Sequence, residues 1–176
     1  MSKILIPRYS TLIPNKKSVD FFSGIPKKFP PEKFDKYTDW FYFTHLDPVQ
    51  RIIHAYGMIF GYAIYLFCFY SLFFNFGIMT VLIFLVGVFF YYGTGVISHK
   101  LYDNGAGKTS PEYFYETFET VHRFNFQTLF GTYDKALRKF ITKYPFVMEA
   151  YDLIEIEKKD LYKHLIKKKD LKLRQT

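Results

Sequence analysis

The residues that decide the fold are 52–99, IIHAYGMIFGYAIYLFCFYSLFFNFGIMTVLIFLVGVFFYYGTGVISH, which contain no Asp, Glu, Lys or Arg. Arg51 and Lys100 flank this block. An α-helix rises about 1.5 Å per residue, so each crossing of a bilayer takes about twenty apolar residues. The block is long enough for two crossings and too long for one. Asn75 and Gly77, near its middle, predict the turn between them.

The start of the first crossing has a clear helix signal. Asp47 is the predicted N-cap, Pro48 takes the first helical position, and Gln50 stands three residues after the cap, as in a capping box. Before it, the aromatic run DWFYF at 39–43 predicts an interfacial lead-in. The reason is that Trp and Tyr rings favour the boundary between lipid headgroups and hydrocarbon.

The flanks of the apolar block carry nearly all of the charge. Residues 1–38 contain five prolines and little periodicity, which predicts an extended arm that orders only against a neighbour. After the second crossing, residues 110–131 predict an amphipathic helix that lies along the membrane surface or against the inner ends of the hairpin, and residues 134–143 predict a shorter helix. Residues 146–173 predict a charged amphipathic helix.

Together these patterns predict an all-α membrane protein, a two-helix transmembrane hairpin with an extended N-terminal arm and C-terminal amphipathic helices. Its predicted parts are the Pro-rich arm (1–38), the hairpin with the following surface helix (39–133) and a charged helical extension (134–176). By the positive-inside tendency, Arg51 and Lys100 place both termini on the cytoplasmic side, or in the matrix of a mitochondrion. The inner mitochondrial membrane and the endoplasmic reticulum both stay open as the location.

The net charge of +8 does not predict nucleic-acid binding. The basic residues either alternate with acids or flank the apolar block, so we interpret them as membrane-flanking and partner-facing charge. The one cysteine, Cys68, lies within the first crossing. It excludes a disulfide framework and a cysteine-based metal motif.

The histidines are the residues of greatest chemical interest. His54 lies a turn or two inside the first crossing, and His99 lies just past the end of the second. An antiparallel pair of crossings brings both to one membrane face, where His45 and Asp103 can join them. Three imidazoles and a carboxylate suit a first-row metal such as non-haem iron. The alternative is that these interfacial histidines only hydrogen-bond to carbonyl groups or headgroups.

These residues resemble a known family. The sequence HLDPVQRIIHAYG at 45–57, the apolar block, and SHKLYD at 98–103 look like the small membrane proteins long grouped as a domain of unknown function. The fungal members of that group are 2-hydroxy fatty acid dioxygenases, and the resemblance extends from about residue 42 to 133. The chain departs from the family pattern at three positions, Leu46, Gln50 and Ser98, where His, Asn and Gly are usual.

The resemblance implies a site and a substrate. His45, His54 and His99 fall at the iron-ligand positions of the family, and Asp103 falls at its acidic position. The implied cofactor is Fe²⁺, and the implied substrate is a fatty acyl chain lying in the bilayer and cleaved beside a 2-hydroxyl group.

A second hypothesis is that the chain is a non-catalytic accessory subunit of a larger membrane complex, such as a respiratory or ATP synthase assembly of the inner mitochondrial membrane. The altered motif neighbours and the long flanks favour it, because about half of the chain lies outside the family domain. In that case the flanks would bind neighbouring subunits.

Two glycines predict how the crossings pack. Gly57 and Gly61 form a Gly-x-x-x-Gly step on the face of the first crossing that includes His54. Small residues at this spacing let a second helix approach closely, and the second crossing around Gly87 and Gly95 is the nearest partner. The alternative is that these are chance glycines in a membrane helix that tolerates them.

Overall fold

The computed structural model describes residues 3–74, 77–106 and 111–166. Within these residues the chain is mostly helical and includes a two-stranded antiparallel sheet. The elements are β1 (Lys3–Pro7), α1 (Lys16–Lys28), α2 (Tyr37–Phe43), α3 (Pro48–Leu72), α4 (Ile78–Val88), a π-helical segment (Phe89–Gly93), α5 (Thr94–Tyr102), α6 (Phe114–Leu129), α7 (Tyr133–Lys143), α8 (Val147–Ala150) and β2 (Leu153–Glu157). Short 3₁₀ turns occur at Pro31–Lys33, Pro111–Tyr113 and Lys158–Asp160, and residues 161–166 are helical.

Two helices of the described chain are long and apolar enough to cross a membrane. The first is α3, and the second, hereafter the second rod, runs from Ile78 to Tyr102 through α4, the π-helical segment and α5; each has 25 residues. Asn75, half of the predicted turn, lies outside the described residues, whereas Gly77 directly precedes α4.

The predicted start of α3 is confirmed in part. The Asp47 carboxylate accepts hydrogen bonds of 2.9 Å from the backbone N–H groups of residues 49 and 50, and Pro48 is the first helical residue. The predicted capping-box role of Gln50 is wrong. Its side-chain amide instead donates to the buried carboxylate of Asp103, 2.9 Å away across the helix pair, where an acceptor without water needs a partner.

The helix α3 and the second rod pack against each other in antiparallel order. The contacting pairs, taken from the end of α3 towards its start, are Cys68 with Thr80, Gly61 with Tyr91, Gly57 with Thr94, and His54 with Gly95. The outer faces are apolar and bare: Leu66, Phe73 and Ile78 are 71–72% exposed. Exposed apolar surface of this extent marks contact with lipid or with another protein.

The N-terminal residues are not the extended arm that the prolines predicted. β1 pairs with β2, and α1 is an amphipathic helix whose N-cap Asn15 forms a capping box with Ser18. On α1, Phe22 and Ile25 are buried in the core of the same chain. The segment orders against its own chain because this apolar face is buried there.

The helix predicted for residues 146–173 is also wrong over its described part. Residues 146–166 do not form one long helix, because α8 ends after four residues and β2 follows. In β2, LIEIE, apolar and charged residues alternate with the period of a strand, and Ile154 and Ile156 pair with Ile6 and Ile4 of β1. The chain is therefore not all-α. Residues 167–173 of the predicted helix lie outside the described part.

The aromatic run before α3 is buried inside the protein and is not an interfacial lead-in. It forms α2, in which Trp40, Phe41, Tyr42 and Phe43 are all buried. They belong to one hydrophobic core with side chains from α1, α6, α7 and β2. That core therefore draws on all three predicted parts of the chain.

The predicted bounds of the helices after the second rod are confirmed to within a few residues. α6 stops before Gly131, whose φ of +68° lies in the left-handed region favoured by glycine at helix ends. α7 begins one residue before the predicted position and ends at Lys143, as expected. Ser110, the first residue of the range predicted for the helix α6, lies outside the described residues.

We expect the substitution Gly57→Ala to destabilise the helix pair. A Cβ atom there would collide with Thr94 Oγ1 and lie 2.7 Å from the Phe90 carbonyl oxygen, which belongs to backbone and cannot swing away. Overpacking of this kind costs about 1–3 kcal/mol of unfolding free energy. Denaturant titration in mild detergent, followed by circular dichroism, measures it.

The matched control is Gly24→Ala in α1, where an added Cβ would meet no atom within 4 Å. That variant is expected to be neutral or slightly stabilised, because alanine favours a helix over glycine. Equal stability of the two variants would contradict the close packing at Gly57.

Candidate metal centre

Three histidines, two on helices and one in the turn after α2, meet at one point. His45 follows α2, His54 lies on α3, and His99 lies on α5; their ligand atoms are all within 4.8 Å of one another. Phe124 of α6, itself fully buried, packs beside the rings of His45 and His54, with centroids 4.9 and 5.9 Å away. The three imidazoles are thus fixed by packing as well as by hydrogen bonds.

The hydrogen bonds of His45 and His99 fix which ring nitrogens carry protons. His45 Nδ1 lies 2.7 Å from the Phe41 carbonyl oxygen, and His99 Nδ1 lies 2.7 Å from Asp103 Oδ2, so both Nδ1 atoms donate. In neutral imidazoles both Nε2 atoms then carry lone pairs. These two atoms face each other at 2.9 Å. Such an arrangement needs a positive centre, either a proton or a metal ion.

His54 supplies a third nitrogen of the same kind. Its Nε2 is buried and has no hydrogen-bond partner among the described residues. Buried polar atoms are nearly always paired, so an unpaired one requires an explanation, and metal coordination provides it. Imidazole nitrogens bind Zn²⁺-sized ions at about 2.0–2.1 Å, so two at right angles lie about 3 Å apart, close to the observed separation.

The electrostatics keep His45 in the form that binds metal. Burial lowers the pKa of His45 well below its ordinary value, and the neighbouring His99 and His54 lower this pKa further. The side chain is therefore neutral at physiological pH, and its Nε2 can act as a ligand.

Asp103 lies behind the three nitrogens and holds one of them in place. Its Oδ2 accepts from His99 Nδ1 and from the Gln50 amide, while Oδ1 accepts from the Ala106 backbone N–H at 3.1 Å. A carboxylate in this position orients a ligating histidine and makes it more basic. The structure thus places Asp103 next to the cluster and not within it.

A cavity of about 450 Å³ reaches the cluster. All three histidines line it, together with α6 side chains and part of the second rod, and no Asp, Glu, Lys or Arg is among its lining residues in the described chain. Val96 and Phe114, which also line it, are 58% and 45% exposed. The cavity therefore joins the histidines to the apolar outer surface of the second rod.

The structure brings together the three predicted histidines, and the other histidines of the chain, His122 and His164, are not part of this group. Gly57 and Gly61 pack against Thr94 and Tyr91 of the second rod, a few residues from the predicted Gly87 and Gly95.

Two supporting residues escaped the sequence analysis. Gln50 holds Asp103, and Phe124 buttresses two rings. The signal for Gln50 was its place four residues before His54, on the same helical face.

Comparison with known proteins adds no relative, because no protein-family model, curated protein or solved structure matches the chain. The resemblance to the fatty acid dioxygenases therefore stays a prediction. The argument for a function depends on the geometry of the three histidines and the cavity.

We expect the purified chain, after a chelator has removed bound metal, to take up one Co²⁺ per molecule. The complex should show a visible absorption band typical of nitrogen ligands. His54→Ala should abolish stoichiometric uptake, because only two facing nitrogens remain. His122→Ala is the matched control and should bind normally, since His122 is outside the cluster. Full Co²⁺ uptake by His54→Ala would contradict the proposed three-histidine metal site.

Asp103→Asn tests the support behind His99. The amide keeps the size of the side chain but loses the charge that fixes the His99 tautomer, so Co²⁺ affinity should fall by about 10–100-fold. Asp20→Asn, on an exposed part of α1, is the control. Unchanged affinity in Asp103→Asn would show that the carboxylate does not act on the site.

Proposed function

We propose that this chain is an integral membrane protein that oxidises a fatty acyl substrate at an iron site formed by His45, His54 and His99. The observation that carries the proposal is the convergence of three imidazole nitrogens on a cavity that opens to an apolar helix surface. Metal and lipid would then meet at one depth of the bilayer.

Support for membrane insertion comes from the two 25-residue helices. Only 28% and 17% of their most apolar windows are buried inside the protein, whereas the core helix of a soluble protein is mostly buried. Arg51 and Lys100 lie at the ends nearest the histidines. We propose that these ends face the cytoplasm or the mitochondrial matrix, with both termini on that side.

The donor set fits a divalent first-row metal. Imidazole nitrogen binds iron, zinc, copper and nickel, and the resemblance to the dioxygenases favours Fe²⁺ among them. In place of the usual oxygenase set of two histidines and one carboxylate, the candidate ligands here are three histidines. Asp103 hydrogen-bonds to one of them, His99. Iron would supply the activation of dioxygen, which the side chains of the protein cannot achieve themselves.

The protein's own residues have three tasks in this proposal. His99, held by Asp103 and Gln50, and His45, held by the Phe41 carbonyl, keep their Nε2 atoms aimed at one point. The apolar cavity walls exclude water and accept an acyl chain. Gly95 leaves room for the His54 ring, because a Cβ atom there would lie 2.8 Å from His54 Cε1.

The accessory-subunit hypothesis is the alternative proposal. One of its supports is weakened, because the described residues of the N-terminal flank fold onto their own chain. The exposed apolar faces of the two long helices remain compatible with neighbouring subunits as well as with lipid. Under this proposal, the partner would be a membrane complex such as a respiratory or ATP synthase assembly of the inner mitochondrial membrane.

We expect the chain, reconstituted in lipid with Fe²⁺, to consume one dioxygen per 2-hydroxyhexadecanoic acid and to release the carboxylic acid shortened by one carbon, with the original carboxyl carbon leaving as carbon dioxide and the remaining oxygen as water. The double variant His54→Ala, His99→Ala should lose this activity altogether, because only one ligand remains. Mass spectrometry of the lipid and an oxygen electrode provide the measurements.

His122→Ala is the control for general loss of folding, since it leaves the three histidines in place. Absence of bound iron, together with full biological function of the double variant, would reject the enzymatic proposal. Migration of the native chain only as part of a large complex in mild detergent would then favour the accessory subunit.

A further inference from the structure

The loop between β1 and α1 carries two exposed apolar side chains at one end of the helix pair. Leu12 and Ile13 are 38% and 58% exposed. The carbonyl oxygen of Leu12 accepts a hydrogen bond of 2.7 Å from the hydroxyl group of Tyr102, the last residue of the second rod. The backbone N–H of Leu12 donates to the Leu165 carbonyl oxygen at 3.2 Å. The loop is therefore fixed beside the end of the second rod.

This loop lies near the end of the apolar outer surface of the long helices. Tyr102, which bonds to Leu12, belongs to a small buried cluster that includes a side chain of α3. Leu101, its neighbour on α5, is 51% exposed. Single exposed apolar residues are ordinary, whereas a large exposed apolar surface marks an interaction site. Leu12 and Ile13 extend such a surface beyond the helix end.

Basic residues accompany the loop. Residues 1–19 contain no Asp or Glu. Lys16 and Lys17, which open α1, are exposed, and so is Lys100 near the end of α5. Within the described residues, no ion pair involves these three lysines. Asp20 is the first acid along the chain, and it sets one negative charge against three positive ones.

The combination of apolar side chains and unpaired lysines fits the surface of an anionic bilayer. Leucine and isoleucine enter the boundary between headgroups and acyl chains, and lysines beside them attract anionic lipids. Phospholipid headgroups surround the end of any helix that spans a membrane, and Tyr102 ends one of the two long helices. A lipid is therefore the partner that this position and this charge favour over a second protein.

We propose that Leu12 and Ile13 enter the headgroup region of the bilayer and that Lys16, Lys17 and Lys100 bind the phosphate group of an anionic phospholipid there. The inference rests on the membrane insertion in the proposed function and is independent of the metal centre and of the substrate. Because Leu12 is bonded to the end of the second rod, the N-terminal segment would then hold that helix at a defined depth.

The depth of the loop is measured by fluorescence on the full-length chain in phosphatidylcholine vesicles. Ile13→Trp keeps an apolar side chain, and the signal of the native Trp40, which is buried in the core, is subtracted with the wild type. Lipids brominated at the headgroup end of their acyl chains should quench the added fluorescence, whereas aqueous iodide should not. Leu66→Trp, on the exposed face of α3, is the control for lipid, and Lys27→Trp, on the last turn of α1, is the control for water.

The lipid preference is measured on Ile13→Trp by energy transfer to pyrene-labelled lipids. Transfer to phosphatidylglycerol should exceed transfer to phosphatidylcholine. The added substitutions Lys16→Gln and Lys17→Gln should lower this preference by about fivefold, the effect of about one basic residue at an anionic surface. Lys27→Gln with Lys28→Gln is the matched control. It removes the same charge from the other end of α1, about 15 Å away along the helix axis, and should keep the preference.

Three outcomes would overturn the proposal. Quenching of Ile13→Trp by iodide and not by brominated lipid would place the loop in water, and resistance to both quenchers would show that protein covers it. Equal transfer to the two lipids, or equal effects of the two lysine pairs, would exclude the anionic headgroup. Lipid contact at Leu66→Trp but not at Ile13→Trp would reject this inference alone. Absence of lipid contact at both positions would reject membrane insertion, and with it the proposed function.

Discussion

The close approach of α3 to the second rod is the constraint on which the site depends. At Gly57 a methyl group would already collide with Thr94, and at Gly95 it would touch the ring of His54. This spacing brings Gln50 within reach of Asp103 and lets His99 meet His45 from the other side. A larger separation of the two helices would leave a buried carboxylate without its partners, which is costly in an apolar environment.

The long helices could be read from the sequence because their signals are local. An uncharged apolar block of this length predicts two long helices, and Asp47 with Pro48 marks a helix start within three residues. The β1–β2 pair could not be read in this way. Its strands are separated by most of the chain, and Ile4 and Ile6 reveal nothing until their partners in β2 are known. The prolines misled for α1, since Pro26 stands near the end of the helix, where the loss of one backbone donor matters little.

The site shows the same division between local and distant information. An antiparallel pair of helices places His54 and His99 at the same end of the pair, and the helix period places Asp103 beside His99. It cannot tell whether a carboxylate binds a metal or holds a ligand, because that depends on side-chain direction. That Tyr91 lines the cavity was hidden for a different reason. The π-helical segment shifts the register of the second rod, so residues before and after it do not follow one helical period.

Charge balance links the metal centre to the kind of ligand that the cavity would take. Imidazole ligands bring no negative charge to a divalent ion, and among the described residues the carboxylate hydrogen-bonded to the cluster is that of Asp103, acting through His99. An ion held there in apolar surroundings would keep a net positive charge, which burial makes unfavourable. A lipid with one ionised carboxyl group would remove that excess, whereas a neutral lipid would not. A metal held by these residues would thus favour a fatty acid over an alcohol or an ester, at the end of the cavity where the histidines lie.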